Sequence, residues 1–304
     1  MNVKLGFDLN CFSNRYTEPE AWTDFVASCG VRVVQFNFDV IDFLLPAGVR
    51  DRLVARTNDC CARKNIRIKC AFGGHNHHQN YLGHPDDGAA RAYEDFYRKM
   101  ADVAAGLGAE GFGTCFAIMT CAVHGNPKRR EVVFNRALDA YRRIAQYSKE
   151  RGLRYLLYEM TSVSRETGAT FEESDRILRE LRDAAIPMKV CLDVGHRNRE
   201  NDDAPEGDPY RWLERYGAVA PLVHIQQCDP RGSRHWPFVP RYNEMGDIDP
   251  GKVLDVLRAA KAKQEILLAL EVRHAAYYPQ EYELESDLRK SVAYWRKWIP
   301  AEEK

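Results

Sequence analysis

The sequence predicts an α/β protein whose eight parallel strands close into a (β/α)8 barrel within one domain, residues 1–304. Three observations lead there. Eight short runs rich in Val, Ile, Leu, Phe and Tyr recur along the chain, near residues 3–12, 32–39, 67–73, 111–118, 154–160, 188–195, 222–228 and 265–272. The 304 residues divide into units of about 38, room for one strand, one helix and two loops, as a parallel crossover requires. No Pro/Ser-rich linker or break in composition offers a domain boundary. An open doubly wound sheet is the alternative, but eight repeats in a chain of this length favour closure.

Each run is too short for an independent helix and reads as a buried strand. After the first, Thr17-Glu-Pro-Glu20 offers an N-cap with a glutamate three residues on, and Gly30 stops the helix carrying Trp22, Phe25 and Val26. Gly106-Leu-Gly-Ala-Glu-Gly111 matches the GxGxxG dinucleotide pattern. It follows a predicted helix and precedes a strand, the reverse of what phosphate binding needs, so no nucleotide cofactor is expected. Residues 131–151 show helical spacing at Val133, Ala137, Tyr141, Ile144 and Ala145, ending at Gly152. Thr170-Phe-Glu-Glu173 repeats the capping spacing, and Asp208-Pro209 and Asp249-Pro250 each put a capping carboxylate before a proline at the first helical position.

Forty-four basic and 44 acidic side chains cancel, leaving no broad electrostatic footprint for nucleic acid. A mean hydropathy of -0.50 and the lack of an apolar run of about 18 residues exclude a membrane-spanning reading. The N-terminal residues carry no secretory pattern, and a cytoplasmic protein is expected. Nine cysteines without a CxxC pair point to reduced thiols, with Cys70, Cys115, Cys191 and Cys228 read as small buried hydrophobes.

A barrel of this kind places its chemistry at the C-terminal ends of the strands. There the sequence puts Glu159 after YLLY, Asp193 after VCL, His224 within LVHIQQ and Glu271 after LLAL. Taken singly, each is readily an ordinary rim residue paired with a lysine or arginine. Together, on four consecutive strands, they can converge on one point, where carboxylates ending apolar runs are costly unless paired or bound to a cation. A divalent metal satisfies all four, and an oxygen-rich set suits Mn²⁺ or Mg²⁺, with Co²⁺ or Zn²⁺ as alternatives.

Glu159 in LLYEM, Asp193 and His196 in CLDVGH, His224 in VHIQQ and Glu271 in LALEV resemble the metal-site pattern of the xylose-isomerase-like barrel superfamily of sugar isomerases and epimerases. The strand–helix order extends the resemblance over the whole chain, and DxGH is its most specific piece. The ketose 3-epimerase branch implies one divalent ion, with Mn²⁺ favoured, held by Glu159, Asp193, His224 and Glu271, and His196 touching a substrate oxygen. It also implies a homo-oligomer. The chemistry expected of such a site is loss of a proton beside a metal-polarised carbonyl, giving an enediolate. Glu159 and Glu271, on opposite faces, would remove and return that proton, which is epimerisation. Return to the neighbouring carbon would be ketose–aldose isomerisation.

Residues 229–247 are too long for a plain connector and are expected to wall the pocket. Arg231, Arg234, His235 and Arg241 gather positive charge after the seventh strand, a usual phosphate-binding place in this fold, so a phosphorylated sugar is one expected substrate; a solvated loop with surface ion pairs is the alternative. HIQQCDP, SRHWPF and YN resemble erythrulose-phosphate 3-epimerases, which implies a four-carbon ketose phosphate. His75, in GGHNHH after the third strand, is expected to touch substrate rather than a second metal. The expected partner is thus a small polyhydroxy carbonyl compound. An inosose-type dehydratase and a non-catalytic sugar-binding barrel are the competing readings.

Overall fold

All eight apolar runs become barrel strands in the computed structural model, which describes residues 1–73, 79–198, 204–274 and 281–300. Strand β1 (Val3–Asp8) leads to helix α1 (Pro19–Ser28), β2 (Val33–Asn37) to α2 (Ala47–Lys64), and β3 (Arg67–Phe72) to α3 (Asp87–Gly106). β4 (Gly111–Cys115) is followed by short α4 (Cys121–His124) and long α5 (Pro127–Glu150). β5 (Tyr155–Glu159) leads to α6 (Phe171–Glu180), and β6 (Met188–Asp193) to α7 (Pro209–Tyr216). After β7 (Leu222–Ile225) a hairpin forms from β8 (Gln227–Asp229) and β9 (Gly232–Trp236), followed by α8 (Pro240–Asn243) and α9 (Pro250–Ala259). β10 (Ile266–Leu270) and α10 (Leu284–Trp295) end the order. The barrel closes as β1-β10-β7-β6-β5-β4-β3-β2 with every pair parallel, the predicted (β/α)8 architecture.

Two apolar layers hold it. Val33, Cys70, Phe72, Leu157, Cys191 and Leu267 fill the barrel interior. A larger layer lies between strands and helices, with Trp22, Trp212 and Trp295 fully buried in it. Both strand faces are therefore covered, which is why the strands read as continuous apolar runs rather than alternating ones. Cys70, Cys191 and Cys228 are buried as expected; Cys115 is only partly so and faces the cavity described below. Among the described residues no helix is long and apolar enough to cross a membrane.

The helix starts expose two local differences from the sequence reading. Thr17 does not cap α1: Pro19 takes the first position, Glu18 becomes the N-cap, and no side-chain bond is made. Proline's fixed φ suits the first helical position, so it moves the cap to the residue before it. Helix α5 starts at Pro127, ahead of the expected 131, because Asn126 accepts a bond from the Arg129 N–H at 3.1 Å. Thr170, Asp208 and Asp249 cap their helices as read. Gly108 sits at φ 69° between α3 and β4, so the GxGxxG match is a helix stop and turn.

Candidate active site

Register brings the four strand-end groups together. Cys115 on β4 pairs with Glu159 on β5, Asp193 on β6 with His224 on β7, and His224 with Ala269 on β10, so Glu271 follows at the same rim. All four are buried, and one donor atom from each lies within 4.8 Å of the other three. His224 Nδ1 is 2.7 Å from Glu159 Oε1, 3.3 Å from Glu271 Oε2 and 4.0 Å from Asp193 Oδ2. Phe72 packs edge-on against the imidazole at 5.5 Å between centroids.

Neighbours outside the quartet fix its members. The other ring nitrogen of His224, Nε2, lies 2.6 Å from Gln35 Oε1; as the amide oxygen only accepts, Nε2 carries a proton, and Nδ1, 2.7 Å from a carboxylate oxygen that also only accepts, carries one too, so a bound ion would replace the Nδ1 proton while Gln35 keeps the other. Gln226 Nε2 donates to both oxygens of Asp193, at 3.0 and 3.1 Å. The Gly195 N–H donates to the same carboxylate at 2.6 Å. A Cβ on Gly195 would fall 2.4 Å from the Gln226 amide carbon, so the glycine of the DVGH segment is where backbone and amide must approach closely.

This arrangement fits a hard divalent cation. Three carboxylates and one imidazole converge in a buried place, and Glu271 Oε2 is buried with no hydrogen-bond partner. His224 Nδ1 at 3.3 Å is its nearest counter-group, and a buried carboxylate oxygen without a hydrogen bond is costly unless a cation meets it. The titration behaviour reflects the same crowding. Burial, with Glu271 and Glu159 alongside and against the pull of His196, pushes Asp193 up to about 7. Burial and Glu271 likewise push Asp8 up to about 7. Against burial, His224 and His196 hold Glu159 below its usual range, while His235, Arg273 and His224 hold Glu271 well below it. Burial lowers His196, but Asp193 and Glu159 outweigh it and carry it to about 9.

The predicted substrate-binding residues divide. His196 joins the site: Nε2 is 3.6 Å from Asp193 Oδ2, and Nδ1 lies 3.0 Å from the Met160 carbonyl. His235 also joins it. Its backbone sits at φ 50°, its N–H donates to Gln226 Oε1 at 2.6 Å, and its Nδ1, 3.7 Å from Glu271 Oε2, has no hydrogen-bond partner. Arg231 and Arg234 do not come in. They stay exposed on the β8–β9 hairpin, with Arg234 bonded to Asp229 at 3.2 Å, and Arg241 pairs with Glu283 at 3.0 Å. The guanidiniums of Arg234 and Arg241 find partners at the surface, as in the solvated-loop alternative. His75 lies outside the described residues.

The cavity beside the quartet is lined by side chains the sequence reading passed over: Asp8, Asn10, Gln35, Asn37, Thr114 and Arg273. Asp8 and Asn37 end β1 and β2 as Asp193 ends β6, so the strand-end rule, applied to all eight strands, would have found them. Arg273 stands two residues past Glu271, with Nη2 donating to Glu271 Oε1 at 2.6 Å.

Known proteins share this fold. A D-erythrulose 1-phosphate 3-epimerase of Brucella abortus is 30% identical over 299 residues, spanning 97% of this chain and 96% of that one. The crystal structure of a Rhodospirillum rubrum protein carrying the provisional name xylose isomerase superposes with a TM-score of 0.88 at 24% identity, covering 98% of this chain and 100% of that one. D-psicose 3-epimerase from Clostridium cellulolyticum H10, solved with D-tagatose, gives 0.67 at 14% identity, covering 97% and 98%. Residues 23–298 match the xylose isomerase-like TIM barrel family over most of the chain, and the protein belongs to that family.

Proposed function

We propose that the protein is a divalent-metal-dependent epimerase of a small ketose or ketose phosphate, inverting the carbon beside the carbonyl, with a tetrulose phosphate as the preferred substrate. The observation that carries this is the buried quartet Glu159, Asp193, His224 and Glu271, with Glu271 Oε2 turned into it 3.3 Å from His224 Nδ1 and without a hydrogen bond. The 30% identity to a D-erythrulose 1-phosphate 3-epimerase along nearly the full length supports the substrate class. These four residues would hold the ion, Mn²⁺ by preference, and when bound it polarises the substrate carbonyl and offsets negative charge as the neighbouring carbon loses its proton.

The chain's own groups do the rest. Glu159 and Glu271 are the two acid/base groups, one taking the proton from the substrate carbon and the other returning it on the opposite face. Glu159 meets His224 through Oε1 and lines the cavity, so its carboxylate would stand beside a substrate held there. Arg273 holds Glu271 Oε1 and so keeps that carboxylate ionised, in the state that accepts a proton. His196 and His235 present ring nitrogens to the same space and are suited to substrate oxygens.

The test is proton exchange in D₂O with the manganese-loaded protein against D-erythrulose 1-phosphate, D-erythrulose and longer ketoses. Deuterium at the carbon beside the carbonyl with inversion is the expected result. An aldose product makes the protein an isomerase, loss of a hydroxyl makes it a dehydratase, and absence of exchange on every substrate refutes the proposal.

A further inference from the structure

We infer that Arg273 is the residue that binds the anionic group of the substrate, making the site selective for a ketose carrying a phosphate on the carbon next to its carbonyl. The inference rests on the epimerase reading and adds to it the group that selects the substrate. Three observations carry it.

Arg273 supplies the one arginine or lysine on the cavity wall among the described residues; Asp8, Glu159 and Glu271 share that wall with His224, whose ring is taken up by Glu159 and Gln35. Its guanidinium is also incompletely used. Nη2 donates to Glu271 Oε1, yet Nε is buried with no hydrogen-bond partner, while the side chain as a whole is 35% exposed. A guanidinium has five N–H donors, and one left buried and unmet marks a place where an acceptor belongs. Finally, its position is fixed from two sides: Glu271 at one end, and at the other its own backbone N–H, which donates to the His235 carbonyl at 3.0 Å.

Chemistry sets where the phosphate must lie. If the carbonyl and the adjacent hydroxyl meet the quartet, a phosphate on the next carbon is three bonds from the carbonyl carbon and must sit beside the quartet. Arg273 touches a member of the quartet. Arg234, by contrast, is on the exposed hairpin with Asp229 as its partner, and Arg15 is engaged by Glu281 and by the carbonyls of Cys11 and His274. Phosphate and guanidinium form short charge-assisted bonds, so the unmet Nε–H of Arg273 and the exposed part of its guanidinium match the acceptor this substrate brings.

The experiment compares the manganese-loaded full chain with Arg273→Gln and Arg273→Lys, using D-erythrulose 1-phosphate and D-erythrulose as probes. Exchange in D₂O gives kcat/KM for each, calorimetry gives binding of the phosphate ester without turnover, and metal content is measured on every sample. The expected result is a wild-type preference for the ester that falls by about 30-fold or more in Arg273→Gln and partly returns in Arg273→Lys, with metal retained. Equal losses on both probes, or loss of metal, would show that Arg273 only supports Glu271 and overturn the inference. So would a wild type indifferent to the phosphate or unable to bind the ester, or a preference lost in the Arg231→Ala Arg234→Ala double variant instead. Binding of the ester that depends on Arg273 with no exchange anywhere would keep the inference and refute the epimerase reading.

Discussion

Buried charge occurs at both ends of the barrel, and the two ends treat it differently. At the N-terminal end, Lys69 is almost fully buried, with its ammonium 3.4 Å from Glu110 and 3.4 Å from Glu265. Arg67 closes the group, 2.5 Å from Glu265 and 3.3 Å from Glu110. Within these ion pairs two cations face two carboxylates and the charge cancels, while Lys189, near enough to feel Lys69 and Glu110, lies over the Tyr155 ring. At the C-terminal end, Asp8, Glu159, Asp193 and Glu271 face His196, His224 and Arg273, and one carboxylate oxygen is left with no hydrogen bond. A buried network that balances is a structural device, whereas one that leaves an orphaned oxygen is unfinished without a ligand.

The largest expected effect comes from changing the unfinished end. Glu159→Gln and Glu271→Gln should each lower substrate proton exchange by about 10²–10⁴-fold, the usual range for a general acid or base, while circular dichroism stays that of the parent. Exchange within a few fold of the parent in either variant would remove that carboxylate from the acid/base pair. Stripping divalent ions with a chelator comes next. It should abolish exchange and lower the unfolding midpoint, and manganese should restore both, since an ion at 100 times its Kd stabilises the folded state by about 2.7 kcal/mol. An unchanged midpoint and unchanged exchange after verified stripping would contradict the metal assignment.

Gln35→Leu sharpens the contrast by leaving every proposed ligand in place. It removes the acceptor that fixes the proton on His224 Nε2, and manganese affinity should fall by about 10–100-fold in titration. An unaltered affinity would mean that the imidazole is oriented by other contacts. The smallest effect belongs to the balanced end. Lys69→Met should cost about 1–3 kcal/mol in urea unfolding, because Arg67 still faces both glutamates, and should leave metal content as it was. Metal loss in that variant would mean the two ends are not separable.

The fold was legible because each barrel strand is buried on both faces and so stands out as an uninterrupted apolar run. Four members of the site were legible because a carboxylate or imidazole at the end of such a run has few structural explanations. Asp8 and Asn37 carried the same signal at the ends of β1 and β2. Gln35 carried none. An amide within the VVQFN run reads as one polar residue among apolar ones, and only its 2.6 Å approach to His224, 189 positions away, gives it a role. Arg273 was obscured for a related reason: the arginines of residues 229–247 are more numerous, yet number in sequence says nothing about which guanidinium a surface carboxylate has already claimed.

The Gln226 amide has a consequence for how this enzyme can change. Its nitrogen grips both oxygens of Asp193, and its oxygen accepts from the Ser233 hydroxyl and from the backbone of Arg234 and His235. The hairpin is therefore not a detachable cassette that mutation can lengthen or shorten freely. Any remodelling that shifts residues 233–235 pulls on the same amide plane that steadies Asp193. New substrate preferences are more accessible on walls that do not share this support, such as Asn10 just past β1 and Asn37 at the end of β2.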